Sequence, residues 1–153
     1  MKRIISVIVE NEHGVLARVV NMFAARGYNI TSLTVAPIPN TEFSRMTIMS
    51  EGDPKVFEQI VKQLYKLIPV YKVIESSDFI EKEMTMVKFS IENNLSDIDA
   101  LARCYNGSIS NVGEKHVIVS VVDRPERIDN FLKAIKRFKP VDIVRSGVSV
   151  IER

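Results

Sequence analysis

The residues best suited to chemistry lie in one short run, Glu10-Asn11-Glu12-His13-Gly14-Val15-Leu16, where a polar turn meets the start of an amphipathic helix. A helix start presents backbone N–H groups that have no acceptor inside the helix, and the helix dipole adds partial positive charge there. A carboxylate seated on such a terminus gains roughly 0.3–1 kcal/mol from the dipole when exposed, and each hydrogen bond to a charged group adds about 1.5–3 kcal/mol. Gly14 has no Cβ to hold a ligand away from the backbone. The Asn11 amide accepts from an ammonium and donates to a carboxylate, which suits both ends of an α-amino acid. The same residues also read as a plain polar turn in which asparagine caps the helix.

Other reactive residue types are sparse. His13 and His116 fall in different halves of the chain, and Cys104 sits in a helix pattern beside Leu101 and Tyr105, as a buried structural thiol would. A single cysteine excludes an intramolecular disulfide and a multi-cysteine metal site, and fits a reducing compartment, with cytoplasm as the default. No nucleophile–base set is evident, and Glu10 and Glu12 would repel a phosphate. The expectation is a chain with no active site, no metal and no cofactor of its own.

The elements that must position the turn follow from hydrophobic periodicity. Residues 3–9 are rich in β-branched residues and close to continuous in apolar character, as in a central strand. Beyond the turn, Leu16, Val19, Val20 and Phe23 recur at helical spacing with Arg18, Asn21 and Arg26 opposite, and Gly27 ends the helix. Residues 29–36 alternate Ile30, Leu33 and Val35 among hydroxyl residues, Pro37 and Pro39 interrupt, and 43–50 resumes as a strand. Asp53-Pro54 opens a helix carrying Val56, Ile60, Leu64 and Leu67, with Asp as N-cap, and 70–74 is a fourth strand.

After the linker candidate Ser76-Ser77-Asp78 the order repeats, with strand 84–91, helix 96–105 and strands 107–112 and 115–122. Arg124-Pro125-Glu126 then opens a helix bearing Ile128, Phe131, Leu132, Ile135 and Phe138, and 141–151 is the last strand. The chain is therefore expected to be α+β, two tandem ferredoxin-like βαββαβ sandwiches with antiparallel sheets and helices on one face, spanning 1–76 and 77–153.

Composition limits the function classes. Of 153 residues 46% are hydrophobic, enough for real cores, and 21 basic against 19 acidic residues leave +2 with no long block of like charge. Nucleic acid is disfavoured further because the central strand Arg45–Met49 carries no aromatic on which a base could stack, although RNA-recognition domains share this element order. Phe23, Phe57 and Phe131 fall at helix-core positions, and Lys133, Lys136, Arg137 and Lys139 read as a solvated helix face. The apolar N-terminal run stops at Glu10 without a cleavage pattern, so it reads as a strand, and no run approaches the roughly 20 apolar residues of a membrane span.

The run VIVENEHGVLARVVNMFAARGYNITSLTVAP, followed by SRMTIMSEGD, resembles the regulatory (small) subunits of acetolactate synthase, also called acetohydroxyacid synthase, and with them an N-terminal ACT domain. Val144-Arg145-Ser146-Gly147 is similar to that family's C-terminal signature. The resemblance implies a non-catalytic homodimer, joined through its ACT domains, that activates a separate catalytic large subunit and confers feedback inhibition by valine or a related branched-chain amino acid. Thiamine diphosphate, magnesium and FAD would belong to that partner. It further implies an effector site at the interface of two ACT domains, with Asn11, Gly14, Val15 and Leu16 from one chain and Asn29 and Ile30 from the other, and with Val35 and Ala36 as an apolar wall. His13 stands where the family often has a small polar residue. An amino-acid-binding regulator without a catalytic partner is the alternative.

Overall fold

The computed structural model describes residues 2–153. Its order is β1 (Lys2–Glu10), α1 (Val15–Ala25), β2 (Asn29–Pro37), β3 (Phe43–Glu51), α2 (Pro54–Tyr65) and β4 (Val70–Ile74). It continues with β5 (Phe79–Ser90), α3 (Leu95–Cys104), β6 (Gly107–Val112), β7 (His116–Asp123), α4 (Pro125–Ala134), a 3-10 turn (Ile135–Phe138), β8 (Asp142–Arg145) and β9 (Ser149–Glu152). The chain divides into two compact units; the first runs to Ile80 and takes in Val150–Arg153, and the second covers Glu81–Ser149. Both are the expected ferredoxin-like sandwiches, with sheet orders β2-β3-β1-β4 and β6-β7-β5-β8.

In the first unit Ile5, Val7 and Val9 of β1 join Val19 and Phe23 of α1 and Ile60 of α2 in one buried cluster. The burial of α1 differs from the expected stripe. Val15, Val19, Met22 and Phe23 face the core, whereas Leu16 is 42% exposed, because the helix begins at Val15 and its inward row runs from there. β2 is bulged at Thr31, whose hydroxyl donates to Met49 O at 3.2 Å. That extra residue lets Ile30 and Leu33, three apart, both pack on the helix side of the sheet. Asp53 caps α2 through its carboxylate, which accepts the Lys55 N–H at 2.8 Å.

The second unit repeats the scheme around Val87, Phe89, Val119, Ile128 and Phe131. Two expectations are corrected. The single last strand at 141–151 is two strands, both paired with β5. Ser146 interrupts it: its N–H donates to Met84 O, and its hydroxyl accepts the Met84 N–H, both at 2.9 Å, so a side chain replaces the next main-chain acceptor. Cys104 is exposed rather than buried, since it lies two residues beyond the buried Ala102 and therefore nearly opposite it on α3; its Sγ sits 3.3 Å from Ala100 O.

One buried carboxylate ties the start of α4 to the sheet. The Asp123 side chain, 4% accessible, accepts from Arg127 Nε, from the Arg124 N–H at 2.8 Å and from Asn106 Nδ2 at 3.1 Å. Burial alone would raise its pKa; the Arg127 and Arg124 hydrogen bonds, the Arg127 charge and the Asn106 amide outweigh it and hold the carboxyl below its ordinary value. A folded-state pKa below the unfolded one means stability that is fully present above about pH 4 and is lost as pH falls through the folded value. Urea unfolding followed from pH 7 to pH 2 should show this acid-labile part in the wild type, and Asp123→Asn should lower stability at pH 7 while flattening the acid limb. An unchanged acid limb in Asp123→Asn would contradict the account.

Candidate functional site

The β1–α1 turn is held from both sides. Glu10 N–H donates to Pro69 O at 2.8 Å, Asn11 N–H to Glu42 O at 2.9 Å and Glu12 N–H to Glu10 O at 2.9 Å. Gly14 is the N-cap of α1, with φ 82° and ψ −5°, a left-handed conformation that glycine adopts without the Cβ clash other residues suffer. A Cβ there would meet no atom within 4 Å, so the requirement for glycine is conformational and the space beside it is open.

Asn11 does not cap the helix, because the cap falls three residues later and makes no side-chain hydrogen bond. Among the described residues α1 is the only α-helix with neither a side-chain cap nor an acidic residue in its first turn. α2 is capped by Asp53, α3 by Asn94 with Asp97 behind it, and α4 carries Glu126. The N–H groups at the start of α1 thus remain a place for an anion. Val15 is 4% exposed and its side chain belongs to the core, so only its backbone can serve a ligand, whereas Leu16 offers its side chain outward.

Beside the turn lies a cleft of about 460 Å³ lined by Glu10, Asn11, Glu12, Glu42 and Phe43. The Glu12 carboxyl hydrogen-bonds the Glu10 carboxyl and its charge repels it; with some desolvation and a contribution from Glu42, this raises the Glu10 pKa. Three carboxylates here favour a cation, next to a helix terminus that favours an anion. Glu42 and Phe43 were not found from the sequence, since only the pairing of Glu10 with Phe43 brings the β2–β3 loop to the turn. Phe43 also stacks at a tilt on Tyr71, centroids 4.9 Å apart.

The remaining candidates divide by position along β2. Val35 pairs with Met46 and Ala36 with Arg45, which face Val7 and Ile8, so the two residues expected to form an apolar wall lie at the turn's end of the sheet. Asn29 and Ile30 pair with Glu51 and Ser50, opposite Lys2 and Arg3. Within one chain they are therefore on the order of 25 Å from the turn, at about 3.3 Å per strand residue. Among the described residues there is no group of His, Cys, Asp and Glu side chains fit to hold a metal ion, and no helix is long and apolar enough to cross a membrane.

Comparison with known proteins covers both units. Residues 5–72 match the model of the AHAS small subunit-like ACT domain, and residues 82–153 match that of the small subunit of acetolactate synthase. The chain is 40% identical to the acetolactate synthase small subunit of Haemophilus influenzae, and to the isozyme 3 small subunit of Escherichia coli, over 100% of this chain and 96% of each relative. A probable acetolactate synthase small subunit of Methanothermobacter thermautotrophicus is 38% identical over 98% of this chain and 92% of its own length. Among solved structures, the acetolactate synthase small subunit from Thermotoga maritima superposes with a TM-score of 0.90 at 31% identity, covering 100% of this chain and 98% of that one. The regulatory subunit of aspartate kinase from Thermus thermophilus shares the fold, with a TM-score of 0.51 at 15% identity over 90% and 92% of the two chains. With both units matched and full-length relatives at this identity, the chain belongs to the acetolactate synthase small subunit family.

Proposed function

We propose that this chain is the regulatory subunit of an acetolactate synthase, a homodimer that binds a branched-chain amino acid between its ACT units and controls a catalytic large subunit. The observation that carries this reading is the open start of α1 at Gly14, flanked by the carboxylates of Glu10, Glu12 and Glu42. The two polarities suit the carboxylate and the ammonium of one zwitterion, with Asn11 between them. The thiamine diphosphate, magnesium and FAD of the reaction would reside in the large subunit.

The edge strand β2 supports the dimer reading. It is a nine-residue edge strand, and none of Asn29–Pro37 is charged, so no charge opposes pairing with another strand; the Thr31 bulge and the terminal Pro37 leave Ser32–Ala36 between them as the stretch that can pair. Antiparallel pairing of two β2 edges about a two-fold axis sets the start of one strand against the end of the other. Asn29 and Ile30 of a second copy then approach Val35, Ala36 and the turn of the first, which brings the separated candidates into one site. An isopropyl group against Val35 and Ala36 gains roughly 1.5–3 kcal/mol on burial. One methylene alters binding by only about 1–3 kcal/mol, so valine, leucine and isoleucine differ modestly, with valine tightest.

Calorimetric titration of valine into the purified chain tests the reading, with Gly14→Asp compared with Gly14→Asn, which carries the same left-handed backbone strain without the charge, because an added carboxylate repels the ligand's own. Binding that Gly14→Asp abolishes, beyond any loss in Gly14→Asn, is the expected result; no binding by the folded dimer would sink it. Val35→Lys places a charge on a strand position already 39% exposed, so the fold should survive while sedimentation shows dimer shifting to monomer and valine binding is lost. Pull-down from lysate should recover a thiamine-diphosphate enzyme; recovering none would favour a regulator that works without a catalytic partner.

A further inference from the structure

The hairpin loop between β2 and β3 holds the candidate turn through a single peptide group. Ile38 N–H donates to Phe43 O at 2.8 Å and Thr41 N–H to Ile38 O at 3.2 Å. Thr41 Oγ1 donates to Ile38 O at 2.8 Å and accepts the Phe43 N–H at 3.2 Å, so one hydroxyl bridges both sides of the loop. Asn40 is left-handed, φ 60°, and Pro37 and Pro39 restrict the approach to it. The acceptor of the Asn11 N–H is Glu42 O, at 2.9 Å. Glu42 C=O and Phe43 N–H belong to the same planar peptide group and point opposite ways. Holding the Phe43 N–H on Thr41 Oγ1 therefore fixes the direction of the carbonyl that holds Asn11.

We propose that Thr41 is a positioning residue for the effector turn, acting through the Glu42–Phe43 peptide group to register Asn11 on the β2–β3 hairpin. This rests on reading Asn11–Leu16 as the effector site. The loop continues directly from Val35, Ala36 and Pro37, so the same hydroxyl ties the turn to the apolar wall and to the β2 edge. Thr41 is exposed and lies outside the lining of the cleft, so its loss acts on geometry and not on a lining contact.

Two variants of the full chain test this, Thr41→Val, which removes the hydroxyl at nearly constant shape, and Thr41→Ser, which keeps it. Backbone amide exchange and valine calorimetry are read on both. In Thr41→Val the Asn11 amide should exchange about three- to tenfold faster and valine affinity should fall by a similar factor, the equilibrium shift of one neutral hydrogen bond. Val7, at the centre of β1, should keep wild-type exchange, and Thr41→Ser should restore both readouts. Unchanged Asn11 exchange and valine affinity in Thr41→Val, or a Thr41→Ser variant as impaired as Thr41→Val, would overturn the positioning role. If the wild type binds valine and Thr41→Val binds it equally, only this inference fails; if the wild type binds no branched-chain amino acid, the effector reading fails and takes the inference with it.

Discussion

The first turn of α1 starts on a left-handed glycine and keeps its backbone donors open, and much of the surrounding unit keeps that arrangement in place. A helix start needs acceptors from somewhere. Here Asp, Ser, Thr and Asn are all absent from the cap position, and no acidic residue follows within the first turn. The turn before it is pinned by carbonyls from two separate loops, Pro69 O on one side and Glu42 O on the other. The donors are thus presented by a fixed frame, which lowers the entropy lost when a ligand binds.

The two units of the chain apply one topology to different ends. In the second unit the corresponding turn leads into α3, where Asn94 accepts the Ser96 N–H at 3.0 Å and Asn93 Nδ2 donates to Ser90 O and Phe138 O. That terminus is self-satisfied, with Asp97 adding negative charge just behind it. Its polar investment lies instead at the opposite end of the sheet, where Asp123 meets Arg127 and Glu83 meets Arg145, the arginine of the Val144–Gly147 run. Arg145 also pairs with Asp129 at 2.7 Å, so β5, β8 and α4 are joined through one guanidinium. In the first unit β2 is held on its inner side by β3, with side-chain hydrogen bonds from Thr31 to Met49 O and from Ser50 to Asn29 O, and among the described residues its outer edge faces no strand of its own chain.

The elements with a local signal were legible in the sequence. Asp53-Pro54 and the apolar spacing of α2 mark that helix, and the glycine turn marks the start of α1. What was not legible depended on pairing or on exact helical phase. The bulge at Thr31 lies in a strand whose plain alternation looks adequate, and only its register with β3 reveals the extra residue. Leu16 and Val15 exchange roles because a one-residue shift in the helix start rotates the buried stripe by about 100°. The Ser146 interruption sits in an otherwise strand-like stretch, and Leu101 and Tyr105 suggested for Cys104 a burial that helix phase denies it, since it lies nearly opposite the buried Ala102. The candidate turn was visible from its residue types, whereas Glu42 and Phe43 reach it only through the β1–β3 pairing.

Amide chemical-shift mapping of the labelled chain during titration with valine probes the seat proposed for the effector carboxylate, the free donors at the start of α1. The largest shifts are expected at the Gly14, Val15 and Leu16 amides, with smaller ones along β2 and no change at Ser96 in the capped start of α3. Shifts centred on α3, or saturable valine binding that leaves the amides of residues 14–16 unmoved, would contradict that seat.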